Sequence, residues 1–219
     1  MNALTKHNHK ALSMWNGWSR GRSGVPVFDP WLDDYKDELE KYRNDLMLDL
    51  GCGIGADTEY LIKNGYKVLS TDYSEEALKS IRDNIPGSQT KYVDMNNPLP
   101  FEDNSFPIIV ADISLHYFDR ATTISLMGEI KRILKSGGYL LARVSSINDV
   151  NYGAGSGRQI EERFYDHGSY AQRYLNEKDV DQFFGIIGKY SFKEIAMTRK
   201  EAYYSIPKML YQIKVQKSV

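Results

Sequence analysis

Residues 49–57 read DLGCGIGAD, three glycines at alternate positions with carboxylates on either side. Glycine lets a chain turn sharply and lets its backbone approach a ligand with no side chain between. Asp49, Asp72, Asp94 and Asp112 each fall at or near the end of an apolar, strand-like run. An acid at the end of the second strand suits a ribose, because one carboxylate accepts from both hydroxyls. Glycines and acids in this order predict a ligand that contains a nucleoside.

The elements that must position these residues alternate from residue 45 onward. DLMLDL (45–50) predicts a strand ending at the glycines, and ADTEYLIKNG (56–65) a helix stopped by Gly65. YKVLST (66–71) predicts a strand. A helix capped by Ser74 follows, with Leu78, Ile81 and Ile85 on one face, and Pro86-Gly87 breaks it. QTKYV (89–93) and PIIVADI (107–113) predict two more strands, the second apolar throughout, as when both sheet faces are covered. Asp119 caps a helix running to about Lys135, SGG (136–138) ends it, and YLLARVSS (139–146) is a fifth strand. This order predicts a doubly wound, mostly parallel α/β sheet.

The remainder has a different texture. Residues 147–175 include NDVNYGAGSGRQ, too glycine-rich for a regular element, and predict a long substrate-side loop. A helix capped by Asn176 carries Val180, Phe183, Phe184 and Ile187 on one face. SFKEIAMT (191–198) and KMLYQIKVQ (208–216) predict an antiparallel strand pair.

The glycines alone leave two cofactors open. Gly51, Gly53 and Ala56 satisfy the permissive dinucleotide pattern with Asp72 at about the right distance, which keeps an NAD(P)-dependent oxidoreductase as the alternative. Asp49 argues the other way. A buried carboxylate there would repel a pyrophosphate, whereas it attracts the sulfonium and ammonium of S-adenosylmethionine.

LDLGCGIG (48–55), TDYS (71–74), YVDM (92–95), ADISLHYF (111–118) and LKSGGYLLARV (134–144) together resemble the class I S-adenosylmethionine-dependent methyltransferases. The resemblance spans roughly residues 45–146. It implies a seven-stranded Rossmann-like sheet of order 3-2-1-4-5-7-6 with strand 7 antiparallel, an N-terminal cap over 1–44 and a methyltransferase domain over 45–219. It also implies that Asp49, Gly51, Cys52 and Gly53 surround the cofactor's methionine part and that Asp72 takes the ribose hydroxyls. Tyr73 would lie against the adenine. Asp94 would accept from its amino group, Met95 would pack on the ring, and Asp112 through His116 would line the floor toward the acceptor. RYL before the last helix and the closing YQIKVQK are similar to small-molecule methyltransferases of the tellurite-resistance and thiopurine type, a likeness that transfers no acceptor.

For an acceptor that must lose a proton, His116 and Tyr117 stand just after strand 4; the other reading of His116 is that it shapes the pocket or bonds to backbone. All three tryptophans, Trp15, Trp18 and Trp31, lie within the first 31 residues beside Arg20 and Arg22. They predict either a lid, with an aromatic facing the sulfonium and Arg22 pairing with the methionine carboxylate, or packing against the sheet. His167 and the HNH at 7–9 lack metal spacing and read as loop and tail histidines. Cys52, the only cysteine, excludes an internal disulfide and reads as packing beside the turn.

A 219-residue chain with 42% apolar and 26% charged residues fits one soluble domain. A net charge of −1, with no basic tail, argues against nucleic acid or anionic membrane as partner. With no apolar run of membrane length and no signal-like start, the expectation is a cytoplasmic enzyme acting on a small molecule. A non-catalytic cofactor-binding protein remains the further alternative.

Overall fold

The computed structural model describes residues 11–17, 19, 29–197 and 206–218. Trp18, Arg20 and Arg22 lie outside the described residues. A helical segment, α1 (residues 11–17), precedes a 3-10 turn (Pro30–Tyr35) that Asp29 caps, and α2 (Lys36–Lys41). The alternation then runs β1 (Leu46–Leu50), α3 (Ala56–Lys63), β2 (Lys67–Asp72), α4 (Glu75–Asn84), β3 (Gln89–Tyr92), β4 (Phe106–Asp112), α5 (Arg120–Ile133) and β5 (Leu134–Ser145). The caps are the ones the sequence predicts. Ser74 accepts from the Ala77 N–H, Asp119 from that of Thr122, and Asn176 forms a reciprocal capping box with Asp179.

The main sheet has the order β3-β2-β1-β4-β5-β10-β9. Strands β1 to β5 run parallel, and β10 (Lys208–Lys217) pairs antiparallel with both β5 and β9 (Gly188–Met197). This is the predicted seven-stranded arrangement. Strand order reverses between β1 and β4, the place where open α/β sheets bind ligands.

Period-two alternation sends side chains to two cores. Leu48, Leu50, Ile109 and Ala111 join α5 and α6 (Glu177–Phe184) on one face. Met47, Val68, Ile108, Val110 and Leu141 face Trp31, Leu32, Leu39, Tyr60 and Leu61 on the other. No helix among the described residues is long and apolar enough to cross a membrane.

Two segments differ from expectation. SGG does not separate α5 from the fifth strand; β5 begins at Leu134, directly after the helix, and carries both glycines. Gly138 is needed there because a Cβ would lie 2.6 Å from the carbonyl oxygen of Pro107. Residues 147–175 are not structureless either. They hold a 3-10 turn (Val150–Tyr152) and a small antiparallel sheet of β6 (Arg158–Glu161), β7 (Phe164–Asp166) and β8 (Ala171–Arg173). These strands are three or four residues long, too short for a period of two to show against the glycines.

Candidate active site

A cavity of about 910 Å³ opens beyond the carboxyl ends of β1 and β4. The glycine turn forms one wall. Gly51 and Gly53 take positive φ of 79° and 52°, and the Gly51 and Cys52 N–H groups both donate to the Thr71 carbonyl, at 2.8 and 2.9 Å. A Cβ on Gly51 would meet that of Ser114 at 2.5 Å, whereas one on Gly53 would meet nothing within 4 Å. The Ser114 hydroxyl donates to the Leu50 carbonyl at 2.8 Å and ties the ends of β1 and β4 together. Ile113 beside it is β-branched yet has a φ of 53°, local strain at the cavity wall, with its N–H bonded to the Arg143 carbonyl at 2.9 Å.

Of the residues expected at the site, Gly51, Cys52, Gly53, Asp72, Tyr73, Asp94, Met95, Asp112 and Tyr117 line this cavity. Asp72 accepts from the Gly53 N–H at 3.0 Å and the Ser74 N–H at 2.8 Å, while burial pushes its carboxyl upward. Burial likewise raises the Tyr73 phenol, helped by the charges of Asp72 and Asp94. Asp94 accepts from the Asn96 backbone and side chain and from the Asn97 amide, at 2.7–3.0 Å, which fixes its orientation. Burial first, then the charges of Asp49 and Asp72, holds the Cys52 thiol well above its usual value and therefore neutral.

Two expected residues stand elsewhere. Asp49 is absent from the cavity wall and only 1% exposed; its carboxylate accepts from the Thr58 hydroxyl at 2.7 Å under α3. Alternation puts it on the Met47 face of β1, away from the cavity lining. Burial and the neighbouring charge of Asp57 push its pKa well up. His116 also lies behind the wall, 1% exposed, with Nδ1 accepting the Ser145 N–H at 3.1 Å. Burial, aided by the charge of Lys208, lowers its pKa to about 3. It is a neutral, backbone-bonded residue supporting Tyr117, the other of the two readings made from sequence. Arg22 lies outside the described residues.

Asp57, the last acid of the opening motif, is a site residue that no strand-end position marks. It lines the cavity and accepts from the Trp31 indole at 2.8 Å. Trp31 thus packs in the core, whereas Trp15 of α1 lines the cavity, edge-on to Tyr117 at 5.1 Å. Asn16 accepts from the Ser74 hydroxyl at 2.6 Å. Further lining comes from the 3-10 turn, the small sheet with its β7–β8 connection, and β10, and includes Tyr152, Phe164, His167, Tyr170 and Lys208.

The donor set fits a cationic nucleoside cofactor. Four carboxylates, Asp57, Asp72, Asp94 and Asp112, border one end of the cavity, and the glycine at 53 leaves room for close approach. A pyrophosphate placed among them would be repelled, least by Asp112, whose charge Arg143 offsets.

The family described as a methyltransferase domain matches residues 48–142. An uncharacterized methyltransferase of Synechocystis is 36% identical over 93 residues, 42% of this chain and 43% of that protein. The chain spans about half or less of the length of the curated relatives it matches. A structure described as a SAM-dependent methyltransferase of Methanosarcina mazei superposes with a TM-score of 0.65 at 21% identity, covering 83% of this chain and 97% of that one. The 1,6-didemethyltoxoflavin-N1-methyltransferase of Burkholderia thailandensis, solved with bound 1,6-didemethyltoxoflavin and S-adenosylhomocysteine, gives a TM-score of 0.69 at 16% identity, covering 100% of this chain and 92% of that one. At these identities the structural likeness speaks for the fold.

Proposed function

We infer from the methyltransferase domain matched at residues 48–142 and from the sheet order that the chain is a class I S-adenosylmethionine-dependent methyltransferase, and from that premise we propose that it methylates a small-molecule acceptor. One observation carries the reading: a single cavity runs from the acid wall at the β1–β4 switch point to an aromatic wall made by residues 152–170 and Lys208. Its volume suits a cofactor and a small acceptor side by side.

S-adenosylmethionine is the cofactor of this superfamily and, when bound, supplies an activated methyl group. Asp72 takes the ribose hydroxyls in this reading, with its two backbone bonds holding it in place. Tyr73 and Met95 sandwich the adenine, and Asp94 accepts from its amino group. Gly51, Cys52 and Gly53 give backbone to the methionine part, while Asp57 adds negative potential beside it. The transfer is an in-line displacement, so the chain contributes chiefly alignment and exclusion of water. α1 helps close the cavity, since Asn16 reaches the cofactor half at Ser74 and Trp15 the acceptor half at Tyr117.

Calorimetric titration with S-adenosylhomocysteine, NAD and NADH tests this. The expected result is binding of the first alone, weakened about 10- to 100-fold in Asp72→Ala, the loss of one or two charge-assisted hydrogen bonds. Binding of the dinucleotides alone would overturn it.

A further inference from the structure

On the aromatic wall the imidazole of His167 is held from several sides. Two glycines make room for it: a Cβ on Gly153 would lie 2.8 Å from its Cε1, and one on Gly157 would lie 3.1 Å from its Nδ1. Tyr170 stacks at a tilt, ring centres 5.1 Å apart, and the backbone N–H of His167 donates to the Tyr170 carbonyl at 2.9 Å. The glycine-rich stretch that looked like slack is thus a collar around a side chain that lines the cavity.

Its tautomer follows from counting protons. The Tyr174 hydroxyl lies 2.7 Å from the Tyr152 carbonyl oxygen and 3.2 Å from His167 Nε2. A carbonyl only accepts, so the single phenolic proton occupies the shorter bond. The longer contact is then a hydrogen bond only if Nε2 carries the ring proton and donates to the tyrosine oxygen. In neutral imidazole that leaves the lone pair on Nδ1, which has no hydrogen-bond partner among the described residues. Burial keeps the ring's pKa below its usual value, against the pull of Asp166, so it is neutral at pH 7. The other ionisable groups around it are Tyr170 and Tyr174, Arg158, which pairs with Asp166 at 2.8 Å, and Asp149, which pairs with Lys208 at 3.4 Å.

We propose that His167 is the general base of the transfer, that Tyr174 is the residue positioning it, and that the acceptor is a flat molecule whose nucleophile is an aromatic hydroxyl or a ring N–H. This rests on the methyl-transfer reading above. Such nucleophiles keep their proton near neutral pH, as tyrosine does with a pKa of about 10, and need a base where a thiol or a free amine needs little help. Tyr117, Tyr152, Phe164 and Tyr170 give the cavity an aromatic lining that suits a planar acceptor. As the acceptor oxygen or nitrogen bonds to the methyl carbon, the carbon–sulfur bond breaks and its electron pair stays on sulfur. The acceptor's proton passes to Nδ1 and from there to water.

The test uses the full chain. Nitrogen-15 spectra of labelled histidine are expected to show His167 as the Nε2–H tautomer, titrating below the usual range. Labelled S-adenosylmethionine is then offered with substituted phenols, hydroxyquinolines, ring N–H heterocycles and alkyl thiols. Wild type is expected to methylate members of the hydroxyl or ring N–H sets. His167→Gln keeps a donor for Tyr174 but no base; it is expected to bind S-adenosylhomocysteine as wild type does and to lose about 100-fold or more in kcat, together with the acid limb of the pH profile. Tyr174→Phe is expected to lower kcat with S-adenosylhomocysteine binding unchanged. An Nδ1–H tautomer, unchanged turnover in His167→Gln, or a wild type that binds S-adenosylhomocysteine yet methylates only thiols or nothing in the panel would each overturn the proposal. A wild type that binds no S-adenosylhomocysteine would overturn the methyl-transfer reading beneath it, a separate failure.

Discussion

Arg143 Nε and Nη2 donate to the two carboxylate oxygens of Asp112 at 2.7 and 2.9 Å, and the arginine is only 1% exposed. Asp29 approaches the same guanidinium at 2.7 Å, and the Trp31 ring lies 4.7 Å from it. The cluster joins the ends of β4 and β5 to the turn before α2, so one buried cation offsets two acids from two other elements. Removing one partner of such a pair leaves a buried charge uncompensated. Arg143→Met is therefore expected to cost about 3–5 kcal/mol in urea unfolding. Adding Asp112→Leu to it should recover part of the loss. A cost below about 1 kcal/mol for the single variant would show that the cluster does not hold these elements together.

Gly51 and Gly53 should separate stability from binding. A Cβ on Gly51 collides with Ser114, so Gly51→Ala is expected to destabilise the fold by about 1–3 kcal/mol. Gly53→Ala meets open cavity, with only the left-handed backbone penalty of about 1 kcal/mol. Its fold should hold while S-adenosylhomocysteine binding is lost. Normal binding by Gly53→Ala, followed by calorimetry, would mean that no ligand comes close to this backbone.

His116 gives a pH dependence of defined sign. Unfolded histidine protonates near 6.5, as set against about 3 in the fold. Between those values the unfolded chain binds the extra proton, so stability falls as the pH drops, by about 1.4 kcal/mol per pH unit from this group. Its contribution is complete above 6.5. In His116→Asn, whose amide oxygen can accept the Ser145 N–H, the slope of urea stability between pH 4 and 6 should flatten, with turnover within a few-fold of wild type. A large loss of kcat with the fold intact would return His116 to the reaction.

Trp15 and Asn16 touch opposite halves of the cavity. Trp15→Ala removes the edge contact with Tyr117 and the tilted contact with Tyr170 at 6.4 Å, so it should raise the acceptor KM more than the S-adenosylhomocysteine Kd. A chain beginning at Phe28 also loses the Asn16–Ser74 bond and is expected to bind S-adenosylhomocysteine about tenfold more weakly, ~1.4 kcal/mol. Unchanged binding in that chain would remove the lid.

What the sequence determined by itself is what local physics writes into neighbouring residues. Strand and helix periods, the caps at Ser74, Asp119 and Asn176, and the glycines after β1 are each satisfied within a few positions, so the order of elements was legible, and the motifs they carry brought the sheet topology by resemblance. Even the withdrawal of Asp49 from the cavity was implicit, since Met47 and Asp49 share one face of β1. The tertiary structure alone decided which distant groups meet. Arg143 finds Asp112 across 31 residues because β4 and β5 run parallel in register, Asp112 against Arg143. His167 takes its place from two glycines and a tyrosine that a three-stranded sheet folds around it, and no spacing along the chain marks that arrangement. Contacts of this kind depend on register and packing between elements, which a one-dimensional pattern does not carry.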